Sequence, residues 1–117
     1  MKSTLLRDLD QRGLLKETIV RWMGEFGRTP TINATNGRDH WPQSTPVAIA
    51  GGGLQGGRGI GATDKTGREI ATAPLKVADL FATLYRACGI DMAKKHFNRE
   101  GKLFKATDGG SPIKDLF

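Results

Sequence analysis

Glycine accounts for 16 of the 117 residues, and this feature most limits what the chain can fold into. Glycine adds backbone entropy to the unfolded state and contributes no side chain to a core. The length allows at most one small domain, so few residues remain for burial. Ten of the glycines lie between residues 24 and 61, around short apolar runs. We therefore expect a small α/β chain with short elements and long loops.

Several protein classes are excluded by the same composition. The glycines have no three-residue period, so the chain is not collagen-like. Cys88 is the only cysteine, which excludes an intrachain disulfide scaffold. No apolar run approaches the about 20 residues that span a bilayer, and residues 1–13 carry charges where a signal peptide is apolar. The sequence as given predicts a cytoplasmic protein without a membrane partner.

The formal net charge is +6, with an isoelectric point near 9.8. Such a charge can indicate nucleic-acid binding. Here the basic residues are scattered along the chain, and only Lys94 and Lys95 are adjacent. The pattern argues against nucleic acid as a partner and is compatible with an anionic small substrate.

The first 23 residues predict a helix followed by a strand. Leucine spacing indicates a helix over residues 4–12, which either Ser3 or Thr4 can cap. β-Favouring residues predict a strand over 18–23 that is covered on both faces, with Trp22 in the core. Helix, short loop and strand together form one half of a βαβ unit.

The remaining elements are another strand, a hairpin and a second helix. Residues 47–50 form an apolar run that predicts a buried strand. Residues 60–62 and 68–70 flank a turn and predict a β-hairpin. The strongest signal is a helix over 75–88, whose apolar face places Cys88 in the core.

The segment GEFGRTP directly follows the first predicted strand. Ligands of open α/β sheets bind beyond the carboxyl ends of strands, so Glu25 and Arg28 occupy a plausible position for a site. The alternative is an ordinary turn with an exposed Glu–Arg pair, and the local pattern taken alone favours it.

The segment GRDHWP places Asp39 and His40 in tandem in a polar loop. Carboxylate and imidazole groups both bind divalent metals, and the neighbouring Arg38 could bind phosphate or sulfate. A structural histidine held by its neighbours remains the alternative. His96, the other histidine, is expected to be an ordinary surface residue. The glycine run that follows residue 50 lacks the Gly-Lys-Ser/Thr of a phosphate-binding loop.

Taken together, these segments resemble a known family. The chain resembles the C-terminal part of the DUF1501 proteins in four features. They are EFGR after a strand, a G-x-D-H loop before an apolar strand and three glycines, the segment APLKVADLFATLYRACGID, and the segment DGGSPIKDLF. The DUF1501 proteins are sulfatase-like members of the alkaline phosphatase superfamily. The resemblance covers nearly the whole chain.

The resemblance implies a three-layer α/β/α sandwich, of which this chain holds few strands, two main helices and a β-hairpin. It also implies a metal-dependent hydrolase of phosphate or sulfate esters. Glu25, Asp39 and His40 would bind a divalent metal (zinc, calcium or similar), with Asp39 as a ligand or a partner of the imidazole. Arg28 and Arg38 would bind the anionic ester.

Departures from the family pattern shape the remaining expectations. Where the superfamily has Asp-His after the late strand, this chain has Glu25-Phe26. The superfamily nucleophile lies in an N-terminal half, and no nucleophile is identified here. We therefore expect residues 1–117 to be one partial domain, inactive alone, whose sheet a partner chain or a second copy completes. Full-length relatives would be exported through a twin-arginine signal. The alternative is a non-catalytic binding or assembly module with a basic, glycine-rich surface.

Overall fold

The structure, a computed structural model, describes residues 3–107 and 109–117. It is a mixed α/β arrangement of two helices and short antiparallel strand pairs. The helices are α1 (Thr4–Gln11) and α2 (Val77–Ala87). The strands are β1 (Ile19–Met23), β2 (Gly27–Arg28), β3 (His40–Trp41), β4 (Val47–Gly51), β5 (Ala62–Thr63), β6 (Ile70–Thr72), β7 (His96–Phe97) and β8 (Leu103–Phe104).

Helix α1 begins as its sequence predicts. The Leu6 amide donates to the Ser3 hydroxyl at 3.2 Å, so Ser3 rather than Thr4 is the N-cap. After the helix, Gly13 adopts a left-handed conformation with φ of 73° and begins a short 3₁₀ turn, Leu14–Lys16. This turn leads into β1, so the predicted order of helix, loop and strand is confirmed.

Strand β1 pairs with β4, which confirms two predicted strands and corrects their arrangement. The ladder is antiparallel, with Ile19 opposite Gly51 and Met23 opposite Val47. Every ladder among the described residues is antiparallel, so the expected βαβ pairing is not found there. Gly51 has φ of +82°, and a Cβ there would approach the Leu15 carbonyl oxygen to 2.7 Å, so only glycine fits this crossing.

Two expected core residues are exposed. Trp22 is 80% exposed, because its cross-strand partner is the small Ala48 and β1 is not covered on both faces. Cys88 is exposed because α2 ends at Ala87, which leaves the thiol beyond the last turn of the helix. Val47 is likewise 40% exposed, so the strand predicted over 47–50 is only partly buried.

The described core lies between α2 and the C-terminal segment. Leu80, Ala82, Thr83 and Leu116 are buried. Thr83 is fully buried, and its hydroxyl donates to the Asp79 carbonyl at 2.7 Å and accepts from the Ile113 amide at 2.9 Å. The hydroxyl therefore satisfies a buried backbone donor of the C-terminal segment.

The side chains of Asp79 and Arg86 on α2 also contact the C-terminal segment. One Asp79 oxygen accepts from the Ser111 amide at 2.9 Å, and the other accepts from the Lys76 amide at the helix start at 2.8 Å. The bond from Ser111, followed by that from Lys76, lowers the pKa of Asp79. The Arg86 guanidinium lies 4.1 Å above the ring of Phe117. The chain ends in a 3₁₀ turn at Lys114–Leu116, whose N-cap residue is Ile113.

Candidate functional site

Strands β2 and β3 bring the two predicted site segments together. Gly27 lies opposite Trp41, and Arg28 lies opposite His40, in an antiparallel pair. Ten residues of sequence separate Arg28 from Arg38, yet the Arg28 Nη1 atom donates to the Arg38 carbonyl at 3.4 Å. EFGR and GRDHW are therefore one structural unit rather than two independent loops.

An aromatic contact holds the imidazole of His40. Its ring centroid lies 3.8 Å from that of Phe26, with the planes tilted by 35°. On the same phenyl ring, the Arg28 guanidinium lies 5.3 Å from the centroid. Phe26, which cannot bind a metal, thus packs against both a candidate ligand and a candidate anion-binding residue. His40 remains exposed, so its imidazole is accessible to a ligand.

Asn33 holds the carboxylate of Asp39. Its amide nitrogen donates to Asp39 Oδ1 at 2.8 Å. Its amide oxygen accepts from the Thr35 amide and hydroxyl, at 3.1 Å and 2.9 Å, and from the Gly37 amide at 2.9 Å. Because these bonds also fold the loop around Asn33, the side chain of Asp39 is oriented by a residue six positions earlier in the chain.

Backbone contacts secure Arg38 and Asp39 to the strand before them. The Nη1 atom of Arg38 donates to the carbonyls of Thr29 and Pro30, at 2.6 Å and 2.7 Å. The Thr29 amide donates to the Asp39 carbonyl at 3.0 Å, and the Asp39 amide donates to the Thr29 hydroxyl at 3.1 Å. These bonds engage one of the three guanidinium nitrogens of Arg38, so its position is fixed while other donors remain for an anion.

Glu25 lies exposed in the turn between β1 and β2. Among residues 3–107 and 109–117, no three His, Cys, Asp or Glu side chains are arranged to hold a metal ion. The structure thus brings Arg28 opposite His40 and next to the Arg38 carbonyl, and it holds the Asp39 carboxylate on Asn33. It does not assemble Glu25, Asp39 and His40 into a three-ligand group among the described residues. Their role as metal ligands stays a prediction.

Comparison with protein-family models gives one match. The model described as a protein of unknown function (DUF1501) matches residues 2–117. The chain belongs to the DUF1501 family. The family resemblance drawn from EFGR, G-x-D-H and the C-terminal segments is thereby confirmed, without support for a wider superfamily. Neither the curated proteins nor the solved structures contain a match to this DUF1501 chain.

Sequence reasoning missed two contributors to the site of this DUF1501 chain. Asn33 is one, although the Asn-Ala-Thr-Asn-Gly run is typical of side-chain-stabilised turns. The other is the contact of the β5–β6 hairpin with β3. The hairpin itself confirms the prediction, with strands that begin two residues later than expected. The Trp41 indole donates to the Arg68 carbonyl of this hairpin at 3.2 Å. The hairpin therefore supports the strand that carries His40.

Asp64 organises the turn of that supporting hairpin. Its carboxylate accepts from the Thr66 hydroxyl at 2.6 Å and from the Arg68 and Glu69 amides at 2.8 Å and 3.2 Å. These bonds, led by that from Thr66, lower the pKa of Asp64 from 3.8 to about 2.

We expect the β5–β6 turn to loosen in acid. A carboxyl with a lowered folded-state pKa stabilises the fold above its unfolded pKa, and this contribution is lost as pH falls from 3.8 to about 2. Amide hydrogen exchange at Arg68 and Glu69 should accelerate, relative to intrinsic rates, across that interval. In Asp64→Asn, this pH-dependent change should be absent. A wild-type protection factor that stays constant down to pH 2 would contradict the expectation.

Proposed function

We propose that this chain supplies metal- and anion-binding groups to a metal-dependent hydrolase of phosphate or sulfate esters. The observation that carries the proposal is the β2–β3 register, which places Arg28 opposite His40 with Asp39 and Arg38 adjacent. These two paired segments supply two guanidinium groups, a carboxylate and an imidazole. Such groups match the needs of this reaction, because the ester is anionic and the metal requires N and O ligands.

The donor set fits a borderline metal such as zinc better than calcium. Imidazole and carboxylate are common zinc ligands, whereas calcium prefers a shell of oxygen atoms. His40 and Asp39 would hold the ion, and Glu25 would join them by a change of the β1–β2 turn. A bound divalent metal would supply Lewis-acid polarisation of the ester oxygen.

The protein groups around this position have separate roles in the proposal. Asn33 orients the Asp39 carboxylate through its 2.8 Å hydrogen bond. Phe26 fixes the plane of the His40 ring. Arg28 and Arg38 bind the non-bridging oxygens of the ester and stabilise the charge that accumulates on them. We assign no nucleophile within the chain. The hydroxyl nearest in sequence to these groups, that of Thr29, is already engaged, because it accepts from the Asp39 amide and donates to the Thr31 carbonyl.

Exposed apolar surface supports the proposal that these elements belong to a larger α/β sandwich. Trp22 on β1 is 80% exposed, and Val77 on α2 is 66% exposed. The radius of gyration is 17.2 Å, against about 13 Å for a compact domain of this length. We propose that further strands, from another part of the protein or from a partner chain, pair with the β1–β4 sheet and provide the nucleophile.

The two histidines offer a matched test of the metal site. The purified chain, incubated with zinc and desalted, should retain bound metal as measured by atomic emission. His40→Ala should lose about tenfold in metal affinity or more. His96→Ala should keep the wild-type metal content, because His96 lies in the separate β7–β8 hairpin.

Equal metal content in wild type and His40→Ala would refute the metal role of His40. The same samples should show no turnover of a generic phosphate or sulfate ester. Metal-dependent turnover that disappears in His40→Ala would contradict the proposal that the nucleophile lies elsewhere. A third outcome would support the alternative function of an assembly module. In that case the chain binds no metal and forms oligomers whether or not a chelator is present.

A further inference from the structure

Residues 94–105 form a basic hairpin that shares no strand with the candidate site. Strands β7 and β8 pair with His96 opposite Phe104 and Phe97 opposite Leu103. Asn98 closes the turn, because its side-chain oxygen accepts from the Glu100 and Lys102 amides at 3.0 Å and 2.8 Å. The turn is therefore an ordered structure with defined faces.

The two faces of this hairpin differ. On one face the rings of His96 and Phe104 stack on each other, with centroids 5.5 Å apart. Because side chains alternate along a strand, Phe97 and Leu103 share the opposite face. Phe97 is 60% exposed and Leu103 is 47% exposed. This face presents an aromatic and an aliphatic side chain side by side to solvent.

Most of the net charge of the chain lies in the hairpin that carries this apolar pair. The segment contains five exposed cationic side chains and one carboxylate, Glu100, so it holds +4 of the total +6. The cationic residues are Lys94, Lys95, Arg99, Lys102 and Lys105. Glu100 is within 3.4 Å of the Asn98 side-chain nitrogen rather than in an ion pair with any of them among the described contacts. The sequence shows only one adjacent basic pair, whereas the hairpin fold concentrates the charges from both strands and the turn.

We propose that the β7–β8 hairpin binds the surface of an anionic lipid bilayer. The cations match the negative headgroups, and clusters of this size are typical of proteins that adhere to anionic lipid. Phe97 and Leu103 would enter the boundary between headgroups and acyl chains, where exposed apolar side chains lose contact with water. Lysine stems can lie along this apolar pair while their ammonium groups reach the phosphates.

The side chains on each face favour lipid over single-stranded nucleic acid. A base-stacking surface uses successive aromatic faces along one basic groove. Here the exposed Phe97 has the aliphatic Leu103 as its neighbour, and Phe104 lies on the opposite face, stacked on His96. In this proposal the hairpin binds at the bilayer surface. No helix among the described residues is long and apolar enough to span a bilayer. The proposal of lipid binding departs from the expectation of no membrane partner, because that expectation considered only segments that span a bilayer.

Vesicle flotation with the full chain tests the proposal. Wild type should bind vesicles of mixed phosphatidylcholine and phosphatidylglycerol, and binding should fall with salt. It should not bind pure phosphatidylcholine vesicles. Lys95→Glu/Lys105→Glu and Phe97→Ser/Leu103→Ser should each weaken binding to the mixed vesicles about tenfold or more.

A charge-matched variant separates the hairpin from the net charge. Lys16→Glu/Arg58→Glu changes two exposed cations outside the hairpin and should retain most of the binding. Circular dichroism should show that all three variants keep the wild-type fold. Three results would each overturn the proposal. They are an equal loss of binding in the charge-matched variant, equal binding of wild type to neutral vesicles, and binding to a single-stranded oligonucleotide without binding to vesicles. None of these readouts depends on metal binding or hydrolysis.

Discussion

Replacing Gly27 with alanine should lower the free energy of unfolding by about 3 kcal/mol, because the new methyl group has no space. A Cβ at this buried position would overlap the carbonyl oxygen of Ser44 and would lie 3.0 Å from the carbonyl oxygen of Trp41. Both obstacles are backbone atoms, so relief requires β2 to move away from β3 and from the segment around Ser44 that follows it. Urea denaturation followed by Trp fluorescence would measure the change.

A glycine in open space provides the control. Gly59 has nothing within 4 Å of a Cβ and no left-handed φ. Gly59→Ala should change stability by less than about 1 kcal/mol, and toward the folded state, because alanine reduces the entropy of the unfolded chain. Similar urea midpoints for Gly27→Ala and wild type would show that β2 and β3 are not packed as described.

Replacing Asn33 with alanine should disorder the Asp39–His40 segment and cost about 2 kcal/mol of stability. The substitution removes four hydrogen bonds, which join the side chain to Thr35, Gly37 and Asp39. The phenyl ring of Phe26 lies on the His40 ring, so the His40 proton shifts report the integrity of the site. In Asn33→Ala these NMR signals should move toward the values of an unstructured histidine.

Asn98→Ala is the matched control for this experiment. The side-chain oxygen of Asn98 also accepts hydrogen bonds from two backbone amides in a turn, but this turn belongs to the β7–β8 hairpin. Its loss should alter the signals of His96 and leave those of His40 unchanged. Unchanged His40 signals in Asn33→Ala would show that Asn33 does not position the segment.

The sequence was sufficient to predict the elements that rest on local signals. The start of α1 at Ser3 or Thr4, the helix that became α2, and the turn of the β5–β6 hairpin each depend on residues within one or two turns of each other. Such signals act over a few residues, and in these elements no contact with a distant segment changes the local conformation.

Burial was the property most poorly predicted from local pattern. Trp22 and Cys88 have the residue types and spacing of core positions, and both are exposed. Whether an apolar side chain is buried depends on which element packs over it, and this is not encoded in the residue itself. The exposed Trp22 also motivates the proposal of additional strands.

The sequence by itself determined the family, both helices, the strands β1 and β4, the β5–β6 hairpin, and the two segments whose chemistry suits a site. Only the tertiary structure decided that Arg28 lies opposite His40, that Asn33 holds Asp39, and that residues 96–97 pair with 103–104 and so bring the basic residues of 94–105 into one hairpin. The physical reason is that pairing register and loop closure depend on distant partners. A close contact such as Gly27 on the Ser44 carbonyl becomes visible only when both segments are in place.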